Sequence, residues 1–259
     1  MAANEPYPGT QAVLRALALL KTFDDARPEW SLLELAGAVG LNKTTTYRLL
    51  TALESEGLVT RRGEADAYRL GPEVIVLGGR AIRANNLRLV SRPALEKLAE
   101  QTGETATLEV MWQGQVLILG EVTGNHLVGA TPYVGSQWPL HATATGKVLL
   151  AGLPAPARAT VLKLPLTAQT PRTITSRDAL EKALNRIREQ GYALADQELE
   201  LGYMSVAAPV HNHEGQVIAA LSVGAPSARL VPQKVDEILT LVKAEAAEVS
   251  AQLGYEVGK

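Results

Sequence analysis

The 259-residue sequence contains no cysteine. That removes a disulfide framework, a thiolate metal site and a cysteine nucleophile from consideration. It also lacks any run approaching the ~18 uncharged apolar residues that a membrane-spanning helix needs. Its first residues, MAANEPYPGTQ, carry neither the basic nor the apolar region of a secretion signal. A charge excess of one sign is missing too. The formal net charge is −2, with ten Lys/Arg and ten Asp/Glu in residues 1–85 and fifteen and seventeen in the remainder. Neither half is basic enough to announce nucleic-acid binding, so any such function must rest on local placement. What is present, 46% hydrophobic and 20% charged residues, is the make-up of a soluble globular protein of one large or two modest domains. The expectation is a cytoplasmic chain with no membrane partner.

Residues 10–23 place Val13, Leu14, Leu17, Leu19, Leu20 and Phe23 at three- and four-residue spacings, which predicts a mostly buried amphipathic helix. Asp24-Asp25-Ala26-Arg27-Pro28 breaks it. Ser31 and Glu34 then form a capping box, so a short helix starts at Ser31 and stops near Gly40. Asn42 is a favoured N-cap for a third helix whose apolar stripe is Leu49, Leu50 and Leu53. Two helices around a tight glycine turn are the helix-turn-helix pattern. The third helix opens with Lys43, Thr44, Thr45 and Thr46, followed by Tyr47 and Arg48. Three consecutive threonines are mediocre helix formers, so folding alone gives little reason for them. In a major groove their hydroxyls and methyls meet bases and phosphates, and Lys43 and Arg48 reach phosphate or guanine. Residues 58–62 and 67–70 read as two strands of a hairpin wing bearing Arg61 and Arg62, suited to a phosphate backbone. The candidate DNA-contacting set is Ser31, Asn42, Lys43, Thr44, Thr45, Thr46, Tyr47, Arg48, Arg61 and Arg62. A helical bundle that merely packs against another domain is the competing reading. The balanced charge of this half predicts weak binding by a monomer and a need for dimers.

Residues 72–103 read as helix, interruption at Gly78-Gly79, and helix from Leu87. The first segment is too apolar for an exposed tether and is expected to pack on a partner chain. From Glu104 the period becomes two, and TATLEVMWQGQVLILGEVTG predicts two strands around Gln113-Gly114. A strand around Val128 follows, then a loop into a helix beginning near Thr143. SRDALEKALNRIREQG predicts a helix capped at Ser176, with Leu180, Ala183, Leu184 and Ile187 buried and Gly191 at its end. Two strands turning near residues 212–215 and a long final helix complete an α+β domain on an antiparallel sheet.

The stretch LHATATGKVLLA invites comparison with a phosphate-binding loop. That loop needs two glycines four residues apart, then Lys and Ser/Thr, after a buried strand. Here His141 stands at the first glycine position and Val148 at the hydroxyl position, so nucleotide hydrolysis is set aside. Two readings stay open. The helix start at Thr143, Ala144, Thr145 and Gly146 either receives a carboxylate or other small anion, or is ordinarily capped with Lys147 in solvent. Asp196, Glu198 and Glu200 either accept hydrogen bonds from a ligand or form a solvated acidic loop. Trp112, Leu119, Val128, Tyr133 and Trp138 are pocket wall or plain core. His211-Asn212-His213-Glu214 reads as a polar hairpin turn rather than a metal site, and no metal or cofactor is implied.

Taken together, NKTTTYRLL, PLHATATGKVLLA, DQELELGYMSVAAPV and GQVIAALSVGAP, in that order and at these separations, resemble the IclR family of bacterial transcriptional regulators. The likeness runs from Gln11 to about Leu253. It implies a mixed α/β chain with a winged helix-turn-helix at 1–70, a linker helix at 71–90, and an effector-binding and oligomerisation domain at 91–259 with a GAF-like antiparallel sheet. It also implies homodimers, often paired into tetramers, on palindromic operator DNA. By position, the effector pocket would use Ala144, Thr145 and Gly146 at the helix start, Asp196 and Glu198 from the acidic motif, Ser205, Ser222 and Gly224. His141 at the pocket edge and Gly129 complete the candidate set. Family members often carry a cysteine near Ser205, and this chain has none. The function expected is a ligand-responsive, sequence-specific DNA-binding regulator, not an enzyme, whose effector is a small organic molecule with an anionic end or an aromatic body. The alternative is an enzyme or small-molecule-binding protein whose winged helix mediates protein contact. A third reading is an architectural DNA binder with an empty C-terminal domain.

Overall fold

The computed structural model describes residues 7, 9–62, 67–126 and 133–256. The chain divides into two compact units that meet between Ala84 and Asn85.

The first unit contains α1 (Gln11–Leu20), β1 (Trp30–Ser31), α2 (Leu32–Val39), α3 (Lys43–Ser55), β2 (Val59–Arg62), β3 (Ala67–Leu70) and α4 (Pro72–Ala84). The Ser31 hydroxyl oxygen accepts from the Glu34 N–H, while the Glu34 carboxylate accepts from the Ser31 N–H at 2.9 Å. Those bonds, with the Arg27 guanidinium alongside, hold the Glu34 carboxyl down at about 2. Gly40 closes α2 in the left-handed region, at φ 67°, a conformation that only glycine adopts without strain. Two residues later the Asn42 side chain accepts from the Thr45 N–H at 2.8 Å and starts α3. Leu19, Leu35, Leu50, Val59 and Tyr68 form the core beneath these helices. β3 lies between β2 and β1, giving a three-stranded wing in which the strand at Trp30–Ser31 was not foreseen.

Two expectations need correction here. α1 is not mostly buried: within its unit only Leu19 is covered, and Val13, Leu14 and Leu17 stand 59%, 42% and 45% exposed. Nor is there a break at Gly78-Gly79. Both glycines sit inside the continuous α4, which has no buried residue, and the interruption comes at Asn85. The 71–90 segment is therefore not one helix, because its last five residues open the next element. Each glycine costs a helix only ~1 kcal/mol relative to alanine and does not by itself break it, whereas the Asn85 side chain, accepting from the Arg88 N–H at 3.0 Å, starts a new helix.

The second unit runs α5 (Asn86–Thr102), β4 (Thr105–Trp112), β5 (Gln115–Val122), β6 (Gln137–Pro139), a single 3-10 turn at Leu140–Ala142, α6 (Ala144–Gly152), α7 (Ala155–Val161), α8 (Arg177–Gln190), β7 (Ala193–Asp196), β8 (Tyr203–His211), β9 (Val217–Pro226) and α9 (Pro232–Gln252). Its six strands form one antiparallel sheet in the order β6-β5-β4-β9-β8-β7. Alternation along each strand sends side chains to opposite faces. Ala106, Leu108, Val206, Ala208, Leu221 and Val223 pack against α5 and α9. Val116, Ala207 and Ala220 pack on the other side against α6 and α8. Helices thus cover both faces of the sheet, in keeping with the GAF-like expectation. The strand expected around Val128, and Gly129 with it, lies outside the described residues.

Candidate functional site

The reading head is built by α3. Asn42 fixes its start, and Leu50 and Leu53 bury one stripe. Lys43 at the first turn and Thr44, Tyr47 and Arg48 away from that stripe stay exposed, and Thr45 is half-buried. Thr46 departs from the expected set. It is fully buried and its hydroxyl donates to the Asn42 carbonyl at 3.0 Å, so it serves the helix rather than a groove. Ser31 and Asn42 are likewise engaged, both as caps. On the wing Arg61 and Arg62 are both exposed. The Arg61 guanidinium lies 5.8 Å from the Tyr68 ring centre, and Arg62 pairs with Glu29 at 3.0 Å.

In the second unit the sheet face toward α6 holds a cavity of about 360 Å³. Thr107 and Glu109 of β4, Ser205 of β8 and Ser222 of β9 line it from the sheet. Trp138, Thr143 and Thr145 line it from the segment entering α6, and residues 199–203 with Pro226 complete it. These strand positions share a face because they lie two apart or directly across the ladder, as Thr107 lies across from Ser222. Gly224 belongs to the same row. A side chain there would collide with the Tyr203 phenol, so glycine is what admits that ring to the cavity. Gly146 has a similar role in α6, where a Cβ would run into the Leu140 backbone. Thr143 caps α6, its hydroxyl oxygen accepting from the Gly146 N–H at 3.0 Å.

Glu109 is the residue that sequence reasoning missed. It is 6% exposed and sits on the sheet beneath α6. Its carboxyl accepts from the Thr107 hydroxyl at 2.6 Å and from the Thr145 hydroxyl, and Thr107 and Ser222 are hydrogen-bonded at 2.7 Å. Burial pushes this carboxyl above the ordinary range, against the hydrogen bonds that pull it down. Burial also raises the Tyr203 phenol, aided by the charges of Glu109 and Glu200, so it stays protonated.

The acidic motif is placed differently from the expectation. Asp196 pairs with Arg172, and neither Asp196 nor Glu198 lines the cavity; Glu200, two residues on, does. Glu198 accepts from the Lys147 ammonium at 2.5 Å, and Lys147 also donates to the Leu194 carbonyl at 2.8 Å. Lys147 is thus not in solvent, and its ammonium is committed to Glu198 and the Leu194 carbonyl. Burial lowers the Lys147 ammonium and raises the Glu198 carboxyl, while their mutual attraction opposes both shifts. Ala144 is fully buried in the core under α6. His141, also buried, donates its ring N–H to the Thr167 carbonyl at 2.9 Å and borders a different cavity. Of the five wall candidates, Trp138 lines the site and Leu119 packs with the α5/α9 core. Trp112 and Tyr133 are exposed, and Val128 lies outside the described residues. His211 stacks on Tyr255, with ring centres 4.7 Å apart.

A helix-turn-helix head and a separate unit with a polar, hydroxyl-lined cavity are the two parts of this molecule, and comparison with known proteins gives both the same relatives. Residues 12–63 match the IclR helix-turn-helix domain, and residues 79–251 match the family described as bacterial transcriptional regulator IclR C-terminal. The HTH-type transcriptional regulator XynR of Escherichia coli (strain K12) is 34% identical over 249 residues, covering 96% of this chain and 99% of that protein. The transcriptional repressor IclR of the same organism is 31% identical over 259 residues, covering 97% and 93%. The crystal structure of an IclR homologue from Microbacterium hydrocarbonoxydans complexed with 4-hydroxybenzoate aligns with a TM-score of 0.81 at 27% identity, covering 93% of this chain and 98% of that one. The chain belongs to the IclR family of bacterial transcriptional regulators.

Proposed function

We propose that this regulator reads operator DNA as a homodimer through Lys43, Thr44, Thr45, Tyr47 and Arg48, with Arg61 and Arg62 on the backbone, and that a small organic effector in the 360 Å³ cavity shifts its operator affinity. The observation that carries this is the pairing, within one chain, of an exposed polar helix face with a hydroxyl-lined cavity. The polar start of α3 has side chains that donate to bases and phosphates, and nothing in its own unit covers them. Neither unit of this acidic chain has the charge to hold DNA by steering alone, which makes two heads on one site necessary.

Dimerisation has its own support. Val13, Leu14 and Leu17 on α1 and Ile75, Val76 and Leu77 on α4 stay exposed within the first unit, and a second copy of the chain would cover them. Dimers would pair further into tetramers, as the family resemblance implies. The effector acts only by binding one arrangement of the two heads better than another. The test is fluorescence anisotropy with DNA from upstream of the protein's own gene, at ~150 mM salt. Saturable binding that outcompetes unrelated duplex is the expected result. Weak, sequence-indifferent binding would contradict it and favour the reading in which the winged helix contacts protein.

A further inference from the structure

The cavity that the proposed function assigns to an effector has an unusual polarity. Two acids line it, Glu109 at the floor and Glu200 at the rim, and among the described residues no lysine, arginine or histidine does. The nearest candidate, Lys147, is committed to Glu198 and the Leu194 carbonyl. Glu109 receives hydrogen bonds from the Thr107 and Thr145 hydroxyls, with the Ser222 hydroxyl also bearing on it.

The hydrogens on that floor can be counted. A hydroxyl has one hydrogen and two lone pairs. Thr107 gives its hydrogen to one oxygen of Glu109, and Thr145 gives its own to the other. In the 2.7 Å contact between Thr107 and Ser222, Thr107 therefore accepts, and Ser222 donates. With Glu109 ionised, all three hydroxyl hydrogens are consumed within this cluster. What the cluster turns toward a ligand is lone pairs: those left on Glu109, Ser222 and Thr145. A second carboxylate placed against them would meet acceptors and a like charge. The hydroxyls of Ser205 and Tyr203 line the cavity beside the cluster, and a ligand hydroxyl or amine would supply the donor that the acceptors around Glu109 lack.

We infer that the effector enters with a hydrogen-bond donor, a hydroxyl or amino group, directed at Glu109, and that Glu109 with Ser222 selects against molecules presenting a carboxylate at that end. This departs from the expectation, drawn from the sequence, of an effector with an anionic end. It rests on the effector reading of the cavity. The exclusion concerns the end at Glu109; acidity elsewhere in the effector does not conflict with it.

The test uses the full-length chain and sets of three probes that share a skeleton and differ in one terminal group. 2-Phenylethanol, 2-phenylethylamine and phenylacetate are one set; 1-butanol, 1-butylamine and butyrate are another. Thermal-shift and calorimetric titrations are run on wild type, Glu109→Gln and Ser222→Ala, with the unliganded melting transition confirming that each variant is folded. The alcohol or amine of a set is expected to bind more tightly than its acid, and which of the two wins distinguishes a neutral from a cationic effector. Either substitution should weaken that binding about tenfold or more, since Glu109→Gln replaces one carboxylate oxygen by an NH2 donor and removes the charge, and Ser222→Ala removes a hydroxyl acceptor. An acid that outcompetes its alcohol and amine, with affinity unaffected by Glu109→Gln, would overturn the inference and leave the effector reading standing. No shift with any probe in any set would contradict the effector reading itself, and this inference with it.

Discussion

Lys147 and Glu198 lie 51 positions apart and meet as a nearly dry pair, their side chains 4% and 11% exposed. Desolvating two charges consumes most of what their attraction returns, so the pair adds little net stability, yet breaking one side strands a buried charge. Lys147→Met alone should cost about 3–5 kcal/mol, and adding Glu198→Leu should recover much of that loss. Chemical unfolding of the two variants and wild type checks it; equal losses in single and double variants would show that the contact with Leu194, not the ion pair, matters. Glu109 gives a pH-dependent test. Its folded-state value lies above the ordinary 4.5 because of burial, so the stability it contributes is fully present below 4.5 and is lost as pH rises through the raised value. Glu109→Gln cannot ionise and avoids that loss. The melting temperature of the variant relative to wild type should climb from acidic to mildly alkaline pH. A difference that stays flat with pH would mean the carboxyl titrates normally.

At the scale of elements, helix phase explains both what was readable and what was misread. Thr46 precedes Leu50 by four residues and Leu53 by seven, the spacing of one buried stripe. That signal was present in the sequence but was masked by the run of three threonines, which looked uniform. Thr46→Val should therefore cost about 1 kcal/mol of stability through its lost hydrogen bond and leave operator affinity nearly unchanged. A large loss of DNA binding with intact stability would return Thr46 to the groove. The capping box at Ser31, the Asn42 cap, the Gly191 stop and the alternation of β4 and β5 were all legible because each is a local rule. Glu109 was not legible. In TATLEVMW its polar, alternating position reads as a solvent face, and only the tertiary arrangement covers that face with α6. A sheet covered on both sides defeats the inference from polar to exposed. For the same reason the sequence left a solvated Lys147 open as one of two readings, since its partner is contributed by a distant loop. The amphipathic pattern of α1 showed that it has an apolar face but not what covers it, and its own unit leaves most of that face bare.

For the whole molecule, two units in one chain must be coupled by free energy rather than by proximity. An effector that binds the operator-competent and incompetent arrangements equally shifts nothing, however tight it is. A tenfold change in operator affinity requires about 1.4 kcal/mol of differential binding, within the 1–3 kcal/mol usual for allosteric coupling. By reciprocity, operator DNA must change effector affinity by the same factor. The most direct measurement of the central claim, that the polar start of α3 reads DNA, is anisotropy of the Lys43→Ala/Thr45→Ala/Arg48→Ala variant on the operator that wild type binds, with its melting curve alongside. Loss of specific binding with an unchanged melting transition is the expected result. Operator affinity equal to wild type in the folded variant would contradict it.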